Sequence, residues 1–356
     1  MKKNHLILGL IVLVALAALV FWGRDRIHFD FSLFRSQIAL VDWRRIAFAT
    51  GCIYLGYCFR AIRWAWLLKP NKRVPLLSLL GTQVIGFTAV ALLGRVADPV
   101  RPYLVTKKTG LPLSSQFAVY IVERLFDLGS TALIFSTVIL FTVWFGQPGA
   151  LPHPEIVKKA GYWGMAATVA GALFLIAVRI SGGVVATFLE RAFGMVSKKI
   201  GAAVGDKVRS FRAGLDTMHT FGDFGVVASL SLGMWMIISV AYLETTRAFV
   251  ASPQLGGMTL PKCMLLLAAS GASSVFQLPI LGWFSQIGLV AAAMVSFYGA
   301  TAEASTACAA ILLVVTFLSI IPVGLIWAQF EHVSLRKITV ESEHAGDVSE
   351  ENTPAD

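Results

Sequence analysis

Charged side chains are scarce in this chain: Asp, Glu, Lys and Arg make up 14% of its 356 residues, against roughly a quarter in an ordinary soluble domain. The six histidines (His5, His28, His153, His219, His332, His344) are scattered, and no group of them has zinc-ligand spacing. Cys52, Cys58, Cys263 and Cys308 all fall in apolar segments, where they read as small buried residues and not as disulfides or ligands. There is no P-loop, no nucleophile elbow and no dinucleotide fingerprint. Apolar and polar residues do not alternate as they would in a membrane β-barrel. These absences leave no expected cofactor, metal or catalytic residue, and they turn attention to the apolar runs.

Those runs are long. Mean hydropathy is +0.73 and 56% of the residues are hydrophobic, which fits a polytopic membrane protein with no large soluble domain. A helix needs about 20 apolar residues to cross a bilayer. Candidate spans are His5–Trp22, Trp43–Leu68, Pro75–Leu93, Ser114–Phe145, Lys159–Arg179, Phe224–Val250 and Glu303–Gln329. Pro261–Leu281 and Ser285–Phe297 form two apolar runs interrupted by Pro279 and Gly282. The first run lacks a clear small-residue cleavage site, so it reads as an uncleaved anchor. Residues 331–356 form a polar, acidic tail of disordered composition. The expected organisation is one all-α transmembrane domain over residues 1–330, followed by that tail.

Lysine and arginine positions set the expected orientation. Lys2 and Lys3 place the N-terminus inside, and Lys69, Lys72 and Arg73 mark a cytoplasmic loop. Lys107 and Lys108 would lie outside if Pro75–Leu93 crossed simply. A re-entrant hairpin over 75–106, turning at Gly94 and Pro99, removes that conflict. A second hairpin over 261–297 turns at Pro279 and Gly282, near Gln286. Span, hairpin and span then recur over about 43–145 and 224–329 with opposite orientation. That is an inverted-topology repeat, as in many secondary transporters. The basic stretch 179–222 reads as a cytoplasmic loop, and the tail ends inside. The net charge of +10 is explained by these loops without nucleic acid.

Ionisable residues inside spans are costly and usually face a cavity or one another. Arg60 and Arg63 lie one turn apart beside Trp64. Arg95, Asp98 and Arg101 are spaced by three, which a helix would place on one side. Glu123 and Asp127 share a face, with Arg124 between them. Arginine suits phosphate because its planar fork donates two parallel hydrogen bonds. One reading is a polar cavity for an anionic headgroup, bound by Arg60, Arg63, Arg95, Asp98 and Arg101. Another is internal ion pairing, in which Glu123 and Asp127 neutralise Arg60, Arg63 or Arg101. A third has Arg60 and Arg63 snorkelling to the cytoplasmic interface.

The stretch Gly94-Arg-Val-Ala-Asp-Pro-Val-Arg-Pro-Tyr-Leu104, then Lys107-Lys108-Thr-Gly110 and Val122-Glu-Arg-Leu-Phe-Asp127, resembles the signature of the flippase-like membrane family. That family is also called the lysylphosphatidylglycerol synthase transmembrane region. Arg60-Ala-Ile-Arg63-Trp64 resembles its upstream element, and Leu278-Pro-Ile-Leu-Gly282 through Gly288 resembles its second hairpin. Ala97 stands where glycine is usual and Asp98 where glutamate is usual. Gln286 falls near a position that often carries an acid, which argues against a titratable second hairpin.

The resemblance implies movement of an anionic or aminoacylated phospholipid, or a related glycolipid, across a bacterial inner membrane. It implies no enzymatic activity, because about 27 residues after the last span are too few for a synthetase domain. Expected partners are membrane lipids, with a second copy of the chain and a separate lipid-modifying enzyme left open. An accessory subunit of an envelope lipid, glycolipid or hopanoid pathway is the alternative. A membrane-embedded headgroup transferase using Asp98 or Glu123 is less favoured, since a carboxylate held by arginines is a weak base.

Overall fold

The computed structural model describes residues 29–146, 151–195, 197–198, 201–202, 204–205, 220–273 and 281–333. His5–Trp22, Pro279 and nearly all of the acidic tail lie outside the described residues. Among those described there are helices and no strands. Five helical segments are long and apolar enough to cross a bilayer: Leu76–Leu93, Leu113–Phe145, Pro154–Gly194, Gly222–Arg247 and Ala302–Phe330.

Local chemistry explains where the helices begin and end. Helix α1 (Phe31–Ala39) starts at Asp30, whose carboxylate accepts from the N–H groups of Ser32 and Leu33. These bonds hold the exposed Asp30 carboxyl below its usual pKa. Helix α2 (Trp43–Leu68) is capped in the same way by Asp42 and stops ahead of Pro70. Its 26 residues span about 39 Å, but arginines 44, 45, 60 and 63 make it more polar than the other long helices. Helix α3 (Leu76–Leu93) follows Pro75 and ends at Gly94, whose φ of 78° favours glycine.

A single 3₁₀ turn, Arg95–Ala97, and Pro99 then re-aim the chain before α4 (Val100–Thr109). Helix α4 ends in left-handed Gly110, with Lys107 and Lys108 on its negative end. Helix α5 (Leu113–Phe145) and α6 (Pro154–Gly194) follow. Proline suits the first turn of α6, where its missing N–H costs nothing.

Helix α6 corrects one expectation. It continues through Arg179 to Gly194, where a basic loop from residue 179 was expected. The only break is at Ser181 (φ −135°, ψ 42°), beside Gly182 and Gly183, so the helix kinks and resumes. Apolar residues from Val184 to Phe193 carry it on past the charge.

Helix α7 (Phe221–Arg247) opens with a reciprocal cap. Thr220 Oγ1 accepts from Asp223 N, and Asp223 Oδ2 accepts from Thr220 N. Next come the single turn α8 (Pro253–Gly256), α9 (Leu260–Ser273), α10 (Leu281–Tyr298) and α11 (Ala302–Leu313). Val314–Leu318 is a π segment leading into α12 (Ile320–Phe330). Pro322 accounts for the irregularity, because it cannot donate back to the carbonyl of Leu318. Two neighbouring carbonyls find partners elsewhere. Tyr54 Oη donates to Ser319 O (2.8 Å) and Thr88 Oγ1 donates to Ile320 O (3.2 Å).

Helix α2 is the hub of the bundle. It packs along α7 most extensively and also meets α3 and the π segment. Helices α5 and α6 pack together, and α12 lies against α3. That last crossing is close: a Cβ on Gly324 would stand 1.8 Å from Thr88 Oγ1, so only glycine fits. Large apolar side chains such as Trp163 (76% exposed) and Phe145 (73%) point outwards. In water such a surface would aggregate; against lipid chains it costs nothing.

Candidate functional site

The charged residues of α2, α4 and α5 converge inside the bundle. Glu123 and Asp127 are one turn apart on α5, and both turn towards α2. There Arg63 Nη2 lies 2.8 Å from Glu123 Oε1, and Arg63 Nη1 donates to Asp127 Oδ1 at 2.6 Å. Arg63 Nη1 also donates to Ser231 Oγ on α7 (2.6 Å). Arg60, one turn earlier, donates to Glu123 (3.3 Å) and Asp127 (3.2 Å). Arg124 Nη2 sits 2.8 Å from each of the same two carboxylates. From α4, Arg101 donates to Glu123 Oε1 (3.3 Å) and Gln83 Oε1 (3.2 Å).

Four guanidiniums therefore share two carboxylates in a region almost sealed from solvent. Arg101 is fully buried and Glu123 is 2% exposed. Aromatic faces supply part of the compensation. The Arg101 guanidinium lies 4.5 Å from the Phe87 ring centre and 5.0 Å from that of Tyr120, and Arg60 is 5.0 Å from Phe87. Gly86 leaves room for Arg101, since a Cβ there would stand 2.1 Å from Arg101 Cγ. Trp64 is buried beside the cluster and donates to Gln116 Oε1 at 3.4 Å.

A cavity of about 210 Å³ opens next to this cluster. Arg60, Arg95, Asp98 and Arg124 form its charged wall, and Phe87 and Tyr57 lie beside them. Opposite stand Ser270 and Gln286 from α9 and α10, with Trp235 and Tyr242 from α7 and Phe317 from the π segment. Gln286 Nε2 donates to Ser270 Oγ (3.3 Å), which is also 2.8 Å from Tyr242 Oη. The segments on both sides of the Gly94 break thus share one cavity with helices from the far half of the chain.

A description of the lysylphosphatidylglycerol synthase TM region matches residues 6–326, nearly the whole chain. The protein belongs to that family. Against curated proteins and against solved structures the chain finds no match. Family membership and the five apolar helices together make it a multi-pass membrane protein.

Within this family member, the structure separates residues that the sequence grouped. Arg95, Asp98 and Arg101 do not share a face. Arg95 and Asp98 pair at 3.6 Å on the cavity rim, while Arg101 points into the buried cluster. The 3₁₀ turn and Pro99 interrupt the helical phase that a spacing of three assumes. Arg60 and Arg63 do not snorkel to an interface; they are 8% and 1% exposed and ion-paired. Arg60 lines the cavity and Arg63 stands behind it. Arg124, which stands between Glu123 and Asp127 in the sequence, presents its side chain to the cavity at 28% exposure. Gly94 ends α3 and Gln286 lines the cavity, while Gly282 lies near the start of α10.

Other residues of the cavity and of the cluster behind it carried a weaker signal. Ser231, Trp235, Ile238 and Tyr242 recur at intervals of four, three and four on α7. Their spacing marks one helix face. In an apolar span that face reads as core, and only the hydroxyls set it apart. Gln83, which holds Arg101, had no such pattern.

Proposed function

We propose that this protein moves the headgroup of a phosphate-bearing lipid between the leaflets of its membrane. The carrying observation is the single cavity that joins an arginine-rich wall to helices from both halves of the chain. On this reading 75–106 and 261–297 are re-entrant hairpins of an inverted repeat, over about 43–145 and 224–329. Residues near both breaks, Arg95 and Asp98 after Gly94 and Ser270 and Gln286 on α9 and α10, line the same cavity, in keeping with transporters whose interrupted hairpins meet near the midplane. The headgroup enters the cavity while its acyl chains stay in lipid. Arg60, Arg95 and Arg124 meet the phosphate directly, and Asp98 orients Arg95. Arg63 and Arg101 act from behind by fixing Glu123 and Asp127. On the same reading the membrane is a bacterial inner one with both termini in the cytoplasm, an orientation that Lys2, Lys3, Lys69, Lys107 and Lys108 support.

A thiol placed in the cavity tests this reading. Gln286→Cys is made in a background with Cys52, Cys58, Cys263 and Cys308 changed to Ala, and the protein is reconstituted in vesicles with labelled lipids. A bulky thiol reagent at position 286 should stop lipid movement. The same reagent at Gly171→Cys, on the apolar face shared by α5, α6 and α7, should leave it running. Unimpeded movement with position 286 fully modified would sink the proposal.

A further inference from the structure

We infer that the cavity selects a lipid headgroup carrying two negative charges, a terminal phosphate monoester, over monoanionic, zwitterionic and cationic headgroups. This rests on the translocation reading and narrows its substrate.

Arg60, Arg63, Arg101 and Arg124 all converge on Glu123 and Asp127, with every pairing within 3.3 Å where it is made. The group therefore holds two more positive charges than negative ones. Arg95 and Asp98 on the rim cancel each other. About twenty guanidinium N–H donors meet about eight carboxylate lone-pair sites. Ser231, Gln83 and aromatic faces take only part of the difference. Arg101 Nε and Nη2 and Arg124 Nε are buried without a hydrogen-bond partner among the described residues.

A surplus of buried charge is costly unless something compensates it. The arrangement also has a direction. Arg60 and Arg124 line the cavity, whereas both carboxylates stand behind them. A ligand in the cavity therefore meets guanidinium first. A dianionic phosphate closes the balance; a phosphodiester closes half of it. A cationic aminoacyl headgroup adds to the excess and finds Asp98, already paired with Arg95, as its one carboxylate among the lining residues.

The test compares lipids in the full-length protein. Binding in detergent and movement in vesicles are each measured for phosphatidic acid, phosphatidylglycerol, phosphatidylcholine and lysylphosphatidylglycerol. Wild type should bind phosphatidic acid about tenfold more tightly than phosphatidylglycerol, the weight of one charge-assisted hydrogen bond. The lysyl lipid should bind weakest. Arg124→Gln lowers the surplus to one and should erase that tenfold preference. Arg124→Lys keeps the charge and should retain it. Glu123→Gln raises the surplus to three and should widen the preference. Thermal unfolding of each variant confirms that folded protein is compared.

Equal binding of the two anionic lipids by wild type, or tightest binding of the lysyl lipid, would overturn the inference while leaving translocation standing. The predicted ranking in binding, with no lipid moved, would uphold the charge selection and sink translocation instead. Soluble glycerol 3-phosphate separates headgroup from lipid. It should compete weakly, and affinity equal to that of phosphatidic acid would overturn a lipid as the ligand.

Discussion

Asp127→Ala is expected to destabilise the protein by about 3–5 kcal/mol, the usual cost of leaving a buried charge without its partner. Asp127 is 4% exposed and meets Arg60, Arg63 and Arg124 within 3.2 Å. Its removal strands Arg63 most severely, because that guanidinium is 1% exposed and cannot turn to water. Ser231 remains as a neutral acceptor, and Glu123 would then carry four cations alone. The thermal midpoint in detergent, read by fluorescence of the nine tryptophans, should fall well below that of wild type. The paired replacement Arg63→Met with Asp127→Leu removes a cation and an anion together and should recover most of the loss. A midpoint unchanged in Asp127→Ala would mean that the cluster does not hold α2 to α5.

Several helices were legible to within a few residues. Trp43–Leu68 was expected and found; the run expected from Ser114 begins at Leu113. Long apolar runs bounded by proline, glycine and charge leave few alternatives. Three features lay outside that logic. Helix α1 is short and polar enough to read as a loop, and only Asp30 betrays its start. The passage of α6 through Arg179 depends on packing that a charge count does not register. The π segment depends on Pro322 acting four residues upstream, within an otherwise continuous apolar run.

The site was legible as a list of residues and not as an arrangement. Charges within apolar spans singled out arginines 60, 63, 95, 101 and 124 and their carboxylates. Which arginine faces a cavity and which is locked behind it follows from helix rotation and from the 3₁₀ turn after Gly94. Spacing placed Arg101 with Arg95, whereas the ion-pairing reading, in which Glu123 neutralises Arg101, is the one the structure bears out.

That division between front and back carries the second large effect. Arg124→Ala should lower lipid movement at least about tenfold, the loss of one or more charge-assisted hydrogen bonds to phosphate. Its effect on stability should be small beside that of Asp127→Ala. The side chain is partly exposed, and its loss leaves Glu123 and Asp127 still held by Arg60 and Arg63. Arg124→Lys should recover only part of the rate, because an ammonium lacks the planar fork. Initial rates of quencher protection in vesicles, normalised to folded protein, give the comparison. A full rate in Arg124→Ala would remove this residue from the path of the headgroup.

The central claim is that the cavity passes lipid headgroups, and reconstitution of the unmodified protein tests it most directly. Purified protein is placed in vesicles with headgroup-labelled anionic, zwitterionic and aminoacylated lipids, and a membrane-impermeant quencher reports the leaflet each occupies. Protein-dependent movement is expected, fastest for the most anionic headgroup. Folded protein that moves none of these lipids, with or without an ion gradient across the vesicle, would contradict it.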